Sequence, residues 1–141
     1  MSKTEENLKA AVTVESLGRS RYSYFAEMAR KDGYRYIAKI FEEIAENEKY
    51  HAMEELKLLL GERDTATNLR EAIHGERYES ESMYPQYATE AEVEDNRAAT
   101  ILFQQISKIE KQHLDRFEKL LDMVESGIGH WVRRTGTLLL R

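Results

Sequence analysis

Apolar residues recur along most of the chain at alternating intervals of three and four. In the last of four such stretches the series runs through Phe103, Ile106, Glu110, His113, Phe117 and Leu120. This spacing marks one face of an α-helix that packs against other helices. Turn-forming or polar residues interrupt the pattern at Asp32-Gly33, at Gly61, in the segment 90–96, and at Gly127 and Gly129. The pattern therefore predicts four helices, at residues 4–31, 34–60, 69–91 and 96–126.

Four long helices joined by short loops predict an all-α protein with a four-helix bundle. The 141 residues suffice for one domain, which we place at 1–128 with a short tail at 129–141. The net charge of −5 argues against nucleic acid or an anionic membrane as partner. No apolar run approaches the ~18 residues of a membrane span, and the N-terminus shows no signal peptide, so we expect a cytoplasmic protein. The absence of cysteine excludes disulfides, zinc ribbons and thiolate-bound iron within this sequence.

Each predicted buried face carries carboxylates or histidines near its middle, where a core would normally be apolar. The residues are Glu15, Glu48, His51, Glu76, Glu79, Glu110 and His113. No lysine or arginine shares these positions. Because a buried carboxylate without a partner costs several kcal/mol or shifts its pKa, a cation must neutralise the cluster, or most of its groups stay protonated.

An internal repeat gives this cluster two-fold character. The motif Phe41-x-x-Ile44-x-x-x-Glu48-Lys49-x-His51 matches the motif Phe103-x-x-Ile106-x-x-x-Glu110-Lys111-x-His113. Glu15 precedes Glu48 by 33 residues, and Glu76 precedes Glu110 by 34. Two Glu-x-x-His motifs with a Glu from each of two other helices form the ligand set of di-iron and di-manganese carboxylate bundles. Oxygen ligands with imidazole suit iron or manganese. The sequence thus predicts two helical hairpins that hold two metal ions.

Single motifs of this kind are weak signals in a chain rich in glutamate. Glu71-Ala72-Ile73-His74 has the same Glu-x-x-His spacing, but His74 lies two residues from the buried position Glu76 and is expected to point elsewhere. A Glu76-x-x-Glu79 pair alone is usually a solvated helix face. The metal interpretation depends on the joint occurrence of seven ligand-type residues in one helical register.

Several stretches between residues 5 and 128 together resemble the rubrerythrin family of ferritin-like di-iron proteins. They are Glu15-Ser16, Arg21-Tyr22-Ser23-Tyr24-Phe25, Lys31-Asp32-Gly33-Tyr34, Ile44-Ala45-Glu46-x-Glu48-x-x-His51, Gly75-Glu76-x-x-Glu79, Met83-Tyr84-Pro85 and Glu110-x-x-His113. The resemblance implies that two iron ions, ferrous or ferric and bridged by oxo or carboxylate groups, are ligated by Glu15, Glu48, His51, Glu76, Glu79, Glu110 and His113. Manganese or a mixed metal pair is an alternative.

The resemblance also implies roles for individual residues. Glu79 separates the family from plain ferritins, and one iron exchanges Glu79 for His51 as its oxidation state changes. Tyr22 and Tyr84 match tyrosines that hydrogen-bond near the site, although an aromatic residue that only fills the core is an equal alternative for each. The expected catalytic residues are therefore Glu79, His51, Tyr22 and Tyr84.

The implied function is that of a peroxidase that reduces hydrogen peroxide to water in oxidative-stress defence. Many family members add a rubredoxin-like domain with four cysteines. Trp131 resembles the start of that junction, but no cysteine follows, so we expect a separate electron donor such as rubredoxin or a reductase. The alternatives are an iron-oxidising, ferritin-like storage protein and an oxygen-using di-metal oxidase.

The connection between the second and third helices is short for a ferritin-like bundle. Residues 61–67 reach at most ~25 Å, whereas returning along the bundle requires roughly 26 Å at 1.5 Å of rise per residue. This predicts a swapped homodimer, in which helices 1 and 2 of one chain complete a bundle with helices 3 and 4 of its partner.

Pro85 falls inside the predicted third helix. It has no amide hydrogen to bond back to Glu81, so we expect a kink one to two turns beyond Glu79. The kink either aims Tyr84 at the site or is simply tolerated.

Overall fold

The structure, a computed structural model, describes residues 1–127 and consists of helices only in that range. The elements are α1 (Lys3–Lys31), α2 (Arg35–Leu60), α3 (Thr65–Tyr78), a π-helical turn (Glu79–Met83), α4 (Tyr84–Val93) and α5 (Arg97–Glu125). The predicted all-α class is confirmed. The tail predicted at 129–141, including Trp131, lies outside the described residues.

The third helix begins earlier than the sequence pattern predicts. A helix that begins at residue 69 has Asn68 as its N-cap, but the Asp64 side chain accepts a hydrogen bond from the Thr67 amide at 2.7 Å, so that α3 begins at Thr65. Aspartate and asparagine both cap helices well, and the aspartate comes first. The expected start is therefore wrong by four residues, and only residues 61–64 connect α2 to α3.

The chain divides into two compact units, at Met1–Glu62 and from Arg63 onward. In the first unit, α1 and α2 pack as a hairpin closed by a turn in which the Tyr34 amide bonds to the Ala29 carbonyl at 2.8 Å. Ala26 and Ala38 are fully buried where the helices meet, because small side chains let two helices approach closely. The Phe41 ring packs against this cluster.

The second unit repeats this design. Here α3, the π turn and α4 pack against α5, and the turn again has an amide-to-carbonyl bond of 2.8 Å, from Asn96 to Ala91. Leu114 is the only large side chain of residues 1–127 that is almost completely buried, at 1% exposure. Each unit also has a three-ring aromatic cluster with centroids 5.6–6.3 Å apart: Tyr22, Phe25 and Phe41 in the first, and Tyr84, Tyr87 and Phe103 in the second.

Both hairpins keep large apolar side chains exposed. Val14, Leu17 and Ile44 are examples on the first, and Ile101, Leu102 and Ile109 on the second. An amphipathic helix pair buries such residues by packing against further helices. Among the described helices, none combines the length and apolarity needed to cross a membrane.

The kink expected near Pro85 takes the form of a π-helical turn that begins at Glu79 itself. The Tyr84 amide bonds to the Glu79 carbonyl, five residues back. Pro85 is then the second residue of α4, where a missing amide hydrogen is tolerated. The lost hydrogen bond is thus accommodated on the N-terminal side of the proline.

The π turn also explains why the two glutamate spacings differ by one residue. Glu48 and Glu110 are each the fourteenth residue of their helix, and both hairpin turns have three residues. Glu15 lies 16 residues before the end of α1, whereas Glu76 lies 17 residues before the end of α4. The additional residue is therefore in the third predicted helix, where a π turn accommodates a single insertion.

Candidate metal centre

The first hairpin brings together Glu15 from α1 and Glu48 and His51 from α2. One potential ligand atom of each lies within 4.8 Å of the others. His51 Nδ1 is 3.4 Å from Glu15 Oε2 and 3.8 Å from Glu48 Oε2. The carboxylates are largely covered, whereas the His51 side chain is 59% exposed. We refer to these three residues as half-site 1.

The second hairpin forms the equivalent group from Glu76 of α3 and Glu110 and His113 of α5, again within 4.8 Å. His113 Nδ1 is 3.5 Å from Glu76 Oε2 and 2.7 Å from Glu110 Oε2. Glu76 Oε2 is buried and has no hydrogen-bond partner. We refer to this group as half-site 2.

In each half-site, the carboxyl group of one glutamate shifts the pKa of its neighbour. A hydrogen bond with Glu15, together with burial and the repulsion of its charge, raises the pKa of Glu48. The same hydrogen bond lowers the pKa of Glu15. Burial, and then the Glu110 carboxyl group beside it, raises the pKa of Glu76. Adjacent carboxylates behave in this way when no cation separates them.

These features fit a bound metal ion. Within residues 1–127, the ion pairs of the four half-site carboxylates involve histidine and neither lysine nor arginine. A buried carboxylate oxygen without a partner is costly, and a cation would satisfy Glu76 Oε2 directly. The donors are oxygen and imidazole nitrogen, which suit iron or manganese.

Glu79 is not part of either three-residue group, but it lies close to half-site 2. Its negative charge contributes to raising the pKa of Glu76 and, after burial, that of Tyr84. In the first hairpin the residue three places after the α1 glutamate is Gly18, where an added Cβ would lie 3.7 Å from Glu48 Cγ. The two halves therefore differ in one carboxylate.

Of the remaining predicted residues, the two tyrosines lie near the half-sites and His74 does not. Tyr84 is partly buried near the Glu79 and Glu110 charges. Tyr22 lies in the aromatic cluster of the first hairpin and 3.7 Å from the Cβ position of Gly18, next to Glu48. His74 is exposed, beside Arg70 and Arg77 in an open groove. It belongs to neither half-site, in agreement with its position off the buried face.

Sequence reasoning did not identify Ser107 as a site-associated residue. Its Oγ donates a hydrogen bond to the Ser80 carbonyl in the π turn, at 2.9 Å. The signal was present in the internal repeat, where Ser107 occupies the position that Ala45 has in the first hairpin.

The family model described as rubrerythrin matches residues 6–121. The chain belongs to the rubrerythrin family. It is 41% identical over 139 residues to rubrerythrin from Porphyromonas gingivalis, covering 89% of this chain and 70% of that one. It is 38% identical to rubrerythrin from Clostridium perfringens, covering 89% and 73%. A solved structure of nigerythrin in the fully reduced, all-ferrous state matches with 30% identity over 89% of this chain and 69% of that one, with a TM-score of 0.44.

Membership confirms the predicted resemblance and its ferritin-like, all-helical class. Rubrerythrins are di-iron proteins of oxidative-stress defence. The Glu and His residues of half-sites 1 and 2 are accordingly groups that could hold a di-metal site.

Proposed function

We propose that this rubrerythrin is a non-haem di-iron peroxidase that reduces hydrogen peroxide to water. The balance is H₂O₂ with two electrons and two protons giving two water molecules, and a separate protein such as rubredoxin or a reductase supplies the electrons. The proposed ligands are Glu15, Glu48, His51, Glu76, Glu79, Glu110 and His113. The observation that carries the proposal is the pair of matching half-sites, each with two carboxylates and a histidine and no basic partner.

Charge balance favours two ions shared by both half-sites. Five ligand carboxylates bring −5, and two ferrous ions reduce the total to −1. A nearly neutral centre avoids the cost of an uncompensated buried charge. Bound iron would supply the two electrons for cleavage of the O–O bond.

The protein residues would bind, orient and donate protons. Glu79 and His51 would alternate as ligands of one ion. Burial and the charges of Glu79 and Glu110 raise the pKa of Tyr84. Its hydroxyl therefore stays protonated near neutral pH and can donate a hydrogen bond to an anionic group at the site. Tyr22 would do the same from the first hairpin.

We propose further that each complete centre forms between two chains of a swapped homodimer. In a ferritin-like bundle the connection after α2 must return to the level of the site. From His51 to Leu60 the helix rises ~14 Å and from Thr65 to Glu76 ~16 Å, which together require ~30 Å. The chain from Leu60 to Thr65, five Cα–Cα steps, spans at most ~18 Å. Half-site 1 would therefore meet half-site 2 of the partner chain.

Rapid mixing of the protein, loaded anaerobically with ferrous iron, with either hydrogen peroxide or oxygen tests the proposal. We expect faster oxidation by peroxide, and sustained turnover with a reduced donor. Faster oxidation by oxygen would contradict the peroxidase assignment and favour the oxidase or iron-storage alternatives. Gel filtration separates these further, because storage requires a large shell, whereas the proposal predicts a dimer of twice 16.5 kDa.

A further inference from the structure

The carbonyl of Ser80 has no hydrogen-bond donor within its own helix. The Tyr84 amide, four residues ahead, bonds instead to the Glu79 carbonyl. The nitrogen five residues ahead belongs to Pro85 and carries no hydrogen. Ser80 is also the only buried polar residue in the described part of the chain, with 7% of its surface exposed. A buried carbonyl in this position requires a donor from elsewhere.

Ser107 of α5 supplies that donor, with its Oγ 2.9 Å from the Ser80 carbonyl oxygen. In the first hairpin, α1 is α-helical throughout, so no π turn leaves a carbonyl without an amide donor. The position equivalent to Ser107 is Ala45, which has no hydroxyl. The hydroxyl therefore occurs in the hairpin with the π turn and not in its repeat.

We infer that Ser107 is a positioning residue that keeps the π turn in register and thereby places Glu79. Glu79 immediately precedes Ser80, and its own carbonyl accepts the five-residue hydrogen bond that defines the turn. Without the Ser107 hydroxyl, the turn would lose its hydrogen bond to α5 at the residue next to Glu79. A shift by one residue rotates a helical side chain by ~100°, which would carry the Glu79 carboxylate away from half-site 2. This inference rests on the proposed metal ligation by Glu79.

Ser107→Ala removes the donor and adds no bulk. We expect faster hydrogen exchange of the backbone amides in the π turn, with Tyr84 the most affected, and little change elsewhere. Ser23→Ala is the matched control, since the Ser23 hydroxyl also donates to a helix carbonyl at 2.9 Å, that of Arg19, on exposed and regular α1. If hydrogen exchange of the π-turn amides were as slow in Ser107→Ala as in Ser23→Ala, the inference would be overturned.

Anaerobic titration with ferrous iron provides a readout that does not depend on peroxide activity. Loss of a residue that orients a ligand typically weakens metal binding by roughly 10- to 100-fold. We expect Ser107→Ala to lower the affinity for one of the two ferrous ions by about 10-fold. Ser107→Thr and Ser23→Ala should bind ferrous iron with wild-type affinity. In a Glu79→Ala background, Ser107→Ala should have no further effect. Additive effects of the two substitutions would contradict positioning through Glu79.

If Ser107→Ala does not fold, Ser107→Cys replaces it in the comparison with Ser107→Thr. A thiol is a weak hydrogen-bond donor, so Ser107→Cys should bind ferrous iron more weakly than Ser107→Thr. A wild-type protein that binds no ferrous iron overturns both this inference and the proposed function. One that binds iron but does not react with peroxide overturns the proposed function alone.

Discussion

Mixing two variants with complementary defects tests whether the metal centre forms between chains. Glu48→Gln removes a carboxylate from half-site 1, and Glu110→Gln removes its repeat equivalent from half-site 2. Each substitution preserves side-chain size and leaves the other half-site intact. Each variant alone lacks a complete centre in any arrangement.

The expected magnitude follows from the connection between the hairpins. Because the chain from Leu60 to Thr65 spans at most ~18 Å against a required ~30 Å, the centre is expected to combine half-site 1 of one chain with half-site 2 of the other. When the two variants are refolded together, about half of the dimers contain one chain of each kind. In each mixed dimer one centre has both substitutions and the other has none. About one quarter of all centres should therefore be intact.

The assay is peroxide-dependent oxidation of the ferrous protein, measured for each variant and for the refolded mixture at equal total concentration. We expect negligible activity from either variant and recovery of about one quarter of wild-type activity in the mixture. The wild-type protein, unfolded and refolded in the same way, controls for losses in refolding. A mixture as inactive as its components would refute the exchange of hairpins, because centres formed within one chain always retain a defect.

Three further predictions concern single residues and the metal-free protein. Glu79→Ala should slow the peroxide reaction by roughly 10- to 100-fold while some iron remains bound, and unchanged turnover would remove Glu79 from the mechanism. The raised pKa of Glu76 stabilises the metal-free protein below the ordinary value of 4.5, and this contribution is lost as the pH rises through its folded-state value. Thermal unfolding should show this loss of stability with rising pH in the metal-free protein and not in the protein with ferrous iron bound. An equal pH dependence of the two forms would contradict this prediction. Leu114→Ala should cost about 3 kcal/mol because it empties a fully buried position, whereas Leu58→Ala, at 77% exposure, should change the free energy of unfolding little; equal effects in a denaturant titration would contradict the assigned core.

The sequence predicted the parts of the fold that depend on local periodicity. The intervals of three and four brought Glu48 and His51 to one face of α2, and the repeat did the same for Glu110 and His113 in α5. Helical geometry alone fixes these relations, because residues three apart lie one turn apart. The pairing of each motif with Glu15 or Glu76 required only that the helices form hairpins.

The features that the sequence did not predict depend on competition between two helix caps or on contacts between helices. Asp64 and Asn68 are both good caps, and composition alone does not decide between them. The π turn directly precedes the helix that contains Pro85, and it accepts a hydrogen bond from the Ser107 hydroxyl of α5, a contact that the third helix alone does not reveal. The one-residue difference between the two glutamate spacings was visible in the sequence, and it marks the insertion that the turn accommodates.

Anaerobic titration with ferrous iron, followed by metal analysis of the protein separated from free ions, measures whether the two half-sites form one di-iron centre. We expect about two ferrous ions per chain, and we expect Glu48→Gln and Glu110→Gln to reduce this number in parallel, because both half-sites serve one centre. Binding of no ferrous iron by the wild-type protein, or full binding after loss of either half-site carboxylate, would contradict this expectation.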